Sequence, residues 1–175
     1  MEILIKADRD LSEAERGEMD RAVNAAFAAE VDGGDNDYVW VESNDWHVLV
    51  VEAGQIVSHV AIVERTVTVA GQPVRVGGVG AVATLPEMQG RGLASAAMRR
   101  AAEFMLNPLD MDFGLLVCAP GTVPLYHRLG WQQVAGPLLV EQPQGKVIFR
   151  DVTMILPCRK QVWPEGVIDL CGLPW

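Results

Sequence analysis

Apolar and polar positions change their period several times along this 175-residue chain, and each change marks an element. "EILIKA" alternates, with Ile3 and Ile5 on one side, and predicts a first strand. "LSEAERGEMDRAVNAAFAA" then sets Leu11, Ala14, Met19, Ala22, Val23, Ala26 and Phe27 near helical spacing, with Asp10 or Ser12 available as a cap. After the turn-rich stretch "EVDGGDNDY", the runs Trp46–Glu52, Gln55–Val69 and Pro73–Thr84 predict three strands, joined by tight turns at "EAGQ" and "AGQP". "LASAAMRRAAEFM" returns to the helical period: Leu93, Ala97, Ala101, Phe104 and Met105 form one stripe, and Arg99 and Glu103 are spaced for an i,i+4 pair.

The second half is shorter in its elements. "FGLLVCA" predicts a buried strand, "VPLYHRLG" a short helix closed at Gly130, and "WQQV" and "KVIFRDVTMIL" the last strands. "WPEGVIDLCGLPW" is too rich in Pro and Gly for a helix. The order β–α–β–β–β–α–β–α–β–β, with room for a second short helix after the first, predicts a single α+β domain over residues 1–175 around one mixed sheet.

Composition narrows the partners. The formal net charge of −9, from 23 acidic and 14 basic residues, argues against an electrostatic grip on nucleic acid or anionic lipid. It suits a cationic small molecule, because an acidic cleft concentrates cations. Asp32 and Asp35 in the acidic loop are candidates to receive one, although solvation alone accounts for many such loops. Cys118, Cys158 and Cys171 lack zinc spacing and fit reduced thiols, so no metal is expected. The polar N-terminus and the lack of a 20-residue apolar run point to the cytoplasm and away from the membrane. Association into a homodimer stays open.

Chemistry concentrates at the mouth of the second helix. A helix N-terminus leaves its first N–H groups without partners and carries about half a positive charge, so a glycine turn entering it is an anion site. "QGRGLA" supplies Gly90 and Gly92 for such a turn and Arg91 for a charge-assisted bond to phosphate. The spacing is neither the dinucleotide fingerprint nor a P-loop. Just before it, "VRVGGVGAVAT" holds Gly77, Gly78 and Gly80 inside a strand, which marks a bulge or a close approach by a ligand. Together these features predict an elongated ligand whose diphosphate sits at the helix and whose arm follows the strand edge.

The combination resembles the GNAT superfamily of acetyl-CoA-dependent N-acetyltransferases, whose pyrophosphate loop reads Q/R-x-x-G-x-G/A. The matching residues are Gln89, Gly90, Arg91, Gly92, Leu93 and Ala94, and the similarity in element order runs from Trp46 to Trp131. The resemblance implies a three-layer α/β/α fold with a mostly antiparallel sheet and a splayed strand pair that admits the coenzyme. It implies that N–H groups of Arg91, Gly92, Leu93 and Ala94 hold the diphosphate, and that the backbone of Val82, Ala83 and Thr84 pairs with the pantetheine arm. "PLYHRLGW" resembles a second family segment, which makes Tyr126 the proton donor to the departing sulfur. His47, His59 and His127 show no acidic partner at motif spacing and read as structural; Cys118 reads as packing.

Within the superfamily the chain is similar to aminoglycoside 2′-N-acetyltransferases, in "NAAFAAEVDGG", "VSHVAIVERTV", "VGAVAT", "LYHRLGW" and the final Trp175. The tail is also similar to that of nodulation (NodA-like) N-acyltransferases. The resemblance implies transfer of an acetyl group to the primary amine of an amino sugar by direct attack, with residues 161–175 folded back toward the cleft. Trp175 would then bring an indole wall and its α-carboxylate to a protonated substrate. One departure stands out: Gly80 occupies the place of a glutamate that acts as a water-mediated base in the aminoglycoside enzymes. The proton acceptor is then a water held by the Gly80 carbonyl, a loop carboxylate such as Asp35, or the chain end. A longer acyl donor, or an acyl-CoA-binding protein without catalysis, are the alternative readings.

Overall fold

The computed structural model describes residues 1–28 and 38–175. Among these, β1 (Glu2–Ala7) leads through a short 3₁₀ turn into α1 (Glu13–Phe27). Ser12 is the cap: its hydroxyl accepts from the Glu15 N–H while the Glu15 carboxylate accepts from the Ser12 N–H. No helix follows α1 among the described residues before the three long strands β2 (Trp46–Glu52), β3 (Gln55–Val69) and β4 (Gln72–Thr84). Both hairpin turns take positive φ at two successive residues, Ala53–Gly54 and Ala70–Gly71, which matches the twist of the strands they join.

The rest comprises α2 (Leu93–Leu106), β5 (Phe113–Cys118), α3 (Val123–His127), β6 (Gln132–Gln133), β7 (Leu138–Gln142), β8 (Gly145–Phe149), β9 (Val152–Pro157) and β10 (Ile168–Asp169). The strands join one mixed, mostly antiparallel sheet in the order β6-β9-β5-β4-β3-β10-β7-β8, with β2 paired to the first half of β3 and β1 paired to β2. The α+β expectation holds, with strands added: "LLVEQ" forms β7, where alternate Leu138, Val140 and Gln142 are buried, and the run "KVIFRDVTMIL" divides at Arg150–Asp151 into β8 and β9. The tail supplies another, β10, which runs antiparallel to the end of β3 and parallel to β7.

Paired residues share a face, so Leu49, His59, Gly80 and Gly78 lie on one side of the sheet through the pairs Leu49–His59, Ala61–Gly80 and Val63–Gly78. On that side α1 covers Leu49 and Ile56, and Trp175 from the tail covers Val63 and its neighbours. The other side packs Val48, Val50, Val60, Ile62 and Val79 against α2 and against Tyr126 of α3. Helices therefore flank the sheet on both faces. The predicted stripe of α2 is buried at every position, while Glu103 pairs with Arg100 across one turn instead of with Arg99. Of the stripe predicted for α1, Met19 and Ala22 are buried in the helix and Leu11 just ahead of it.

Candidate active site

Two strands that start as neighbours and then part create the opening. β4 and β5 are parallel and pair only at Val76–Phe113, Gly77–Gly114 and Gly78–Leu115. Beyond Gly78, β4 runs on through Thr84 with a strand on one side only. The cause sits in β4 itself. Ala81 has φ of 46°, and the register with β3 slips between the His59 and Ala61 pairs, so Ala81 and Val82 together oppose Val60. Such a bulge bends the strand and ends pairing on its far side. Gly80, Ala81 and Val82 are half-buried there, while Ala83 and Thr84 are buried. Ser58 fastens the end of the strand, its hydroxyl lying 2.7 Å from the Ala83 carbonyl and 2.8 Å from the Thr84 hydroxyl.

From Thr84 the chain crosses a short turn to α2. Gly90 and Gly92 both take left-handed φ, 75° and 79°, and both are exposed. Gly92 is the N-cap, and no side chain caps α2. A 14-residue helix thus starts at the open edge with its first N–H groups bare, Leu93 and Ala94 among them. Gln89 braces the turn through its amide, which donates to the Thr84 carbonyl at 3.3 Å. Arg91 does not reach over the helix start: its guanidinium pairs with Glu52 on the β2–β3 hairpin at 2.9 Å. The expected side-chain contact to a phosphate therefore requires that pair to break, whereas the backbone N–H groups need no rearrangement.

On the α1 face of the same edge lies the tail. Trp175 is buried, its indole stacked where a side chain at Gly78 would be, and its main-chain carbon and oxygen lie 2.9 and 3.1 Å from where a Cβ at Gly80 would stand. Any side chain at either position would displace the tryptophan. A glutamate at 80 and this tail cannot occupy the same space. Arg65 holds the tail, donating to the Leu173 carbonyl at 2.6 Å with its guanidinium carbon 4.9 Å from the Trp175 ring centre.

Tyr126 projects from α3 into the α2 face of the sheet, buried, with its ring edge-on to Trp131 at 6.3 Å. Burial, and to a smaller extent Cys118, push its phenol up to about 12. Cys118 ends β5 and is buried too; burial pushes its thiol up, opposite to what an activated nucleophile needs. His127 on the next position is exposed. Asp32 and Asp35 lie outside the described residues.

One group of residues escaped the sequence. His47 and His59, expected to lack an acidic partner, are almost fully buried and stacked, with His47 Nδ1 3.0 Å from His59 Nε2 and His47 Nε2 3.0 Å from Asp8 Oδ1. His59 Nδ1 in turn lies 3.0 Å from the carbonyl of Ala81, the bulge residue. Asp8 precedes His47 by 39 residues, and only the β1–β2 register brings them together. The alternation of both histidines with apolar residues, on strands facing the same side, was the one available signal.

A sheet opened beside a bulge, with a bare helix start at the end of the opening strand, is the scaffold of an acyltransferase. Comparison with known proteins makes the class specific. A family model for the acetyltransferase (GNAT) domain matches residues 8–134, and the chain belongs to the GNAT acetyltransferase family. It is 28% identical over 137 residues to an aminoglycoside 2′-N-acetyltransferase of Mycolicibacterium fortuitum, covering 78% of this chain and 67% of the relative. Its fold is similar to that of a GNAT family acetyltransferase from Brucella melitensis in complex with acetyl-CoA, with a TM-score of 0.63, 16% identity and coverage of 95% and 94% of the two chains. It is equally similar to the GNAT family N-acetyltransferase YhbS from Escherichia coli in complex with CoA, at TM-score 0.63 and 16% identity, over 96% of this chain and 89% of that one.

Proposed function

We propose that this protein transfers the acetyl group of acetyl-CoA directly to a primary amine of a cationic amino sugar or aminoglycoside-like molecule. The observation that carries the reading is the meeting of three features at one edge: the uncapped start of α2, the unpaired stretch of β4, and Trp175 over Gly78 and Gly80. The diphosphate lies against the N–H groups from Arg91 to Ala94, where the helix dipole favours negative charge. The pantetheine arm lies beside Val82, Ala83 and Thr84 as an added strand. The relative from Mycolicibacterium fortuitum and the net charge of −9 both favour a cationic acceptor.

The chemistry follows from the groups at hand. The amine lone pair attacks the thioester carbonyl, the carbon–nitrogen bond forms, and the carbon–sulfur bond breaks to release thiolate. A phenol held near 12 stays protonated at neutral pH and donates a hydrogen bond to the sulfur as its charge grows. Complete transfer to a thiol of pKa about 8.5 would be uphill by roughly 4–5 kcal/mol, so stabilisation by the hydrogen bond is the main contribution and solvent completes the protonation. The amine proton leaves to solvent water at the open edge of β4, beside the Trp175 main-chain oxygen that lies over Gly80.

Calorimetry with acetyl-CoA, followed by thiol release against an acceptor panel, tests the reading. Binding together with turnover on kanamycin-like sugars, and none on N-terminal peptides, is the expected result. Binding without turnover on any amine would instead make the protein an acyl-CoA binder, which the glycine at 80 would favour. Turnover only with long-chain donors would assign it to acyl transfer of the nodulation type.

A further inference from the structure

The buried chain from Asp8 to Ala81 contains three short gaps: His59 Nδ1 to the Ala81 carbonyl, His47 Nδ1 to His59 Nε2, and His47 Nε2 to Asp8 Oδ1, each 3.0 Å. Filling all three takes three hydrogens, and two neutral imidazoles carry two. Beside an ionised Asp8 the uncharged pair is therefore one short. Asp8 takes the His47 Nε2 hydrogen, and the single His59 hydrogen serves either His47 Nδ1 or the Ala81 carbonyl, never both, so the contact to Ala81 is only partly filled. One added proton on His47 fills both. Both His47 nitrogens then donate, His59 Nε2 accepts, and His59 Nδ1–H donates to Ala81.

The carbonyl at the end of this chain is that of the residue whose φ of 46° makes the bulge. A non-glycine residue in that conformation costs roughly 1–2 kcal/mol, so an external hydrogen bond is what stabilises it. We propose that His59 is a positioning residue for donor binding: its Nδ1–H clamps the Ala81 bulge and so presets the free edge of β4, and the clamp closes when the histidine pair gains one proton, balanced by Asp8. This rests on the placement of the coenzyme along β4 proposed above.

The groups facing the pair fix the direction of its pH dependence. Arg16 holds Asp8 below the usual carboxylate range, and Asp20 also acts on His47 by its charge. The Lys6–Glu15 ion pair lies beside them on β1 and α1. Burial pushes both rings down, His59 to about 4, whereas Asp8 draws His47 part of the way back. The added proton thus resides on His47. The clamp is closed on the acid side and opens as pH rises through a His47 value below the ordinary histidine range.

Asp8→Asn separates this device from simple packing. In that variant the carboxamide oxygen stays at the Oδ1 position, where it accepts from the Arg16 guanidinium and from His47 Nε2–H. The carboxylate charge that balances the added proton is gone, so the histidine pair stays neutral to lower pH. Coenzyme A affinity is measured by calorimetry at pH 5.5, 6.5 and 8 for wild type, Asp8→Asn and His59→Leu; ratios between proteins cancel the ligand's own titration. Asp8→Asn should match wild type at pH 8 and bind more weakly at pH 5.5, by up to about 10-fold, the size of one hydrogen bond. His59→Leu should bind weakly at every pH. An affinity ratio of Asp8→Asn to wild type that is flat with pH, or higher at pH 5.5 than at pH 8, overturns the proposal. In the free protein the Val82 amide resonance should move on acidification in wild type and stay fixed in Asp8→Asn. That readout needs no ligand. Its failure overturns the clamp, whereas absence of coenzyme binding with the resonance behaving as expected overturns only the donor reading.

Discussion

In the proposed reaction Tyr126 steadies the departing sulfur, while the histidine pair and the glycines of β4 shape the edge that receives the coenzyme. Tyr126 was legible because a short segment, "PLYHRLGW", surrounds it. The histidine chain was not, since its members come from three strand-level neighbours with no common motif. Tyr126→Phe should lower kcat about 100-fold, the lower range for a lost hydrogen bond to developing charge, while coenzyme affinity changes less than two-fold; an unchanged rate would remove the phenol from the mechanism. The same residue affects alkaline stability. Its folded pKa of about 12 exceeds the ordinary value of 10, so the fold keeps its full contribution below pH 10 and loses it as pH rises toward 12. Melting midpoints between pH 10 and 12 should fall less steeply in Tyr126→Phe than in wild type. Gly78 and Gly80 were legible as places of close approach, but not what approaches them; Trp175 is almost a hundred residues further along the chain.

Elements with a local cause were readable, and those with a distant one were not. Paired positive φ at Ala53–Gly54 and Ala70–Gly71 makes both hairpins a property of four-residue stretches. The buried stripe of α2 follows from its own spacing. By contrast β7 lies between Pro137 and Pro143, so the turn residues around it hid a period-two run, and β10 is a strand only because β3 and β7 lie on either side of it. The bare start of α2 gives a prediction in which stability and binding respond differently. The charge of an aspartate at the helix start contributes roughly 0.3–1 kcal/mol through the dipole. The left-handed φ of 79° at Gly92 costs a side chain a similar amount. Gly92→Asp should therefore melt within a few degrees of wild type. Its carboxylate would nevertheless occupy the anion site and repel a diphosphate, lowering coenzyme A affinity by about ten-fold or more. Equal affinity in calorimetry would move the diphosphate away from this helix.

At the scale of the whole molecule the tail joins regions far apart in sequence. Its backbone is hydrogen-bonded in succession to Pro137, Leu139, Glu141 and Val41, and it ends on β4 at the opening. Arg65 is the only side chain of β3 that both donates to the tail and stacks on Trp175 among the described contacts. Burial draws its pKa down, yet a guanidinium stays charged, so its interaction with the Leu173 carbonyl and the indole is that of a partly desolvated cation. Arg65→Met keeps an apolar stem and removes both interactions. A charged hydrogen bond of roughly 1.5–3 kcal/mol and a cation–π contact of roughly 0.5–2 kcal/mol are lost, partly offset by burying a thioether where a cation stood. At roughly 2–4 °C per kcal/mol for a chain of this size, the melting midpoint should fall by about 4–8 °C. If Trp175 forms the acceptor wall, the KM for the amine should also rise about ten-fold while coenzyme A affinity holds, because the helix start and the β4 edge are built without the tail. Arg65→Lys should recover only part of both losses, since a point charge cannot stack as the planar fork does. A lower melting midpoint with an unchanged amine KM would leave the tail as a structural strap and remove Trp175 from the acceptor site.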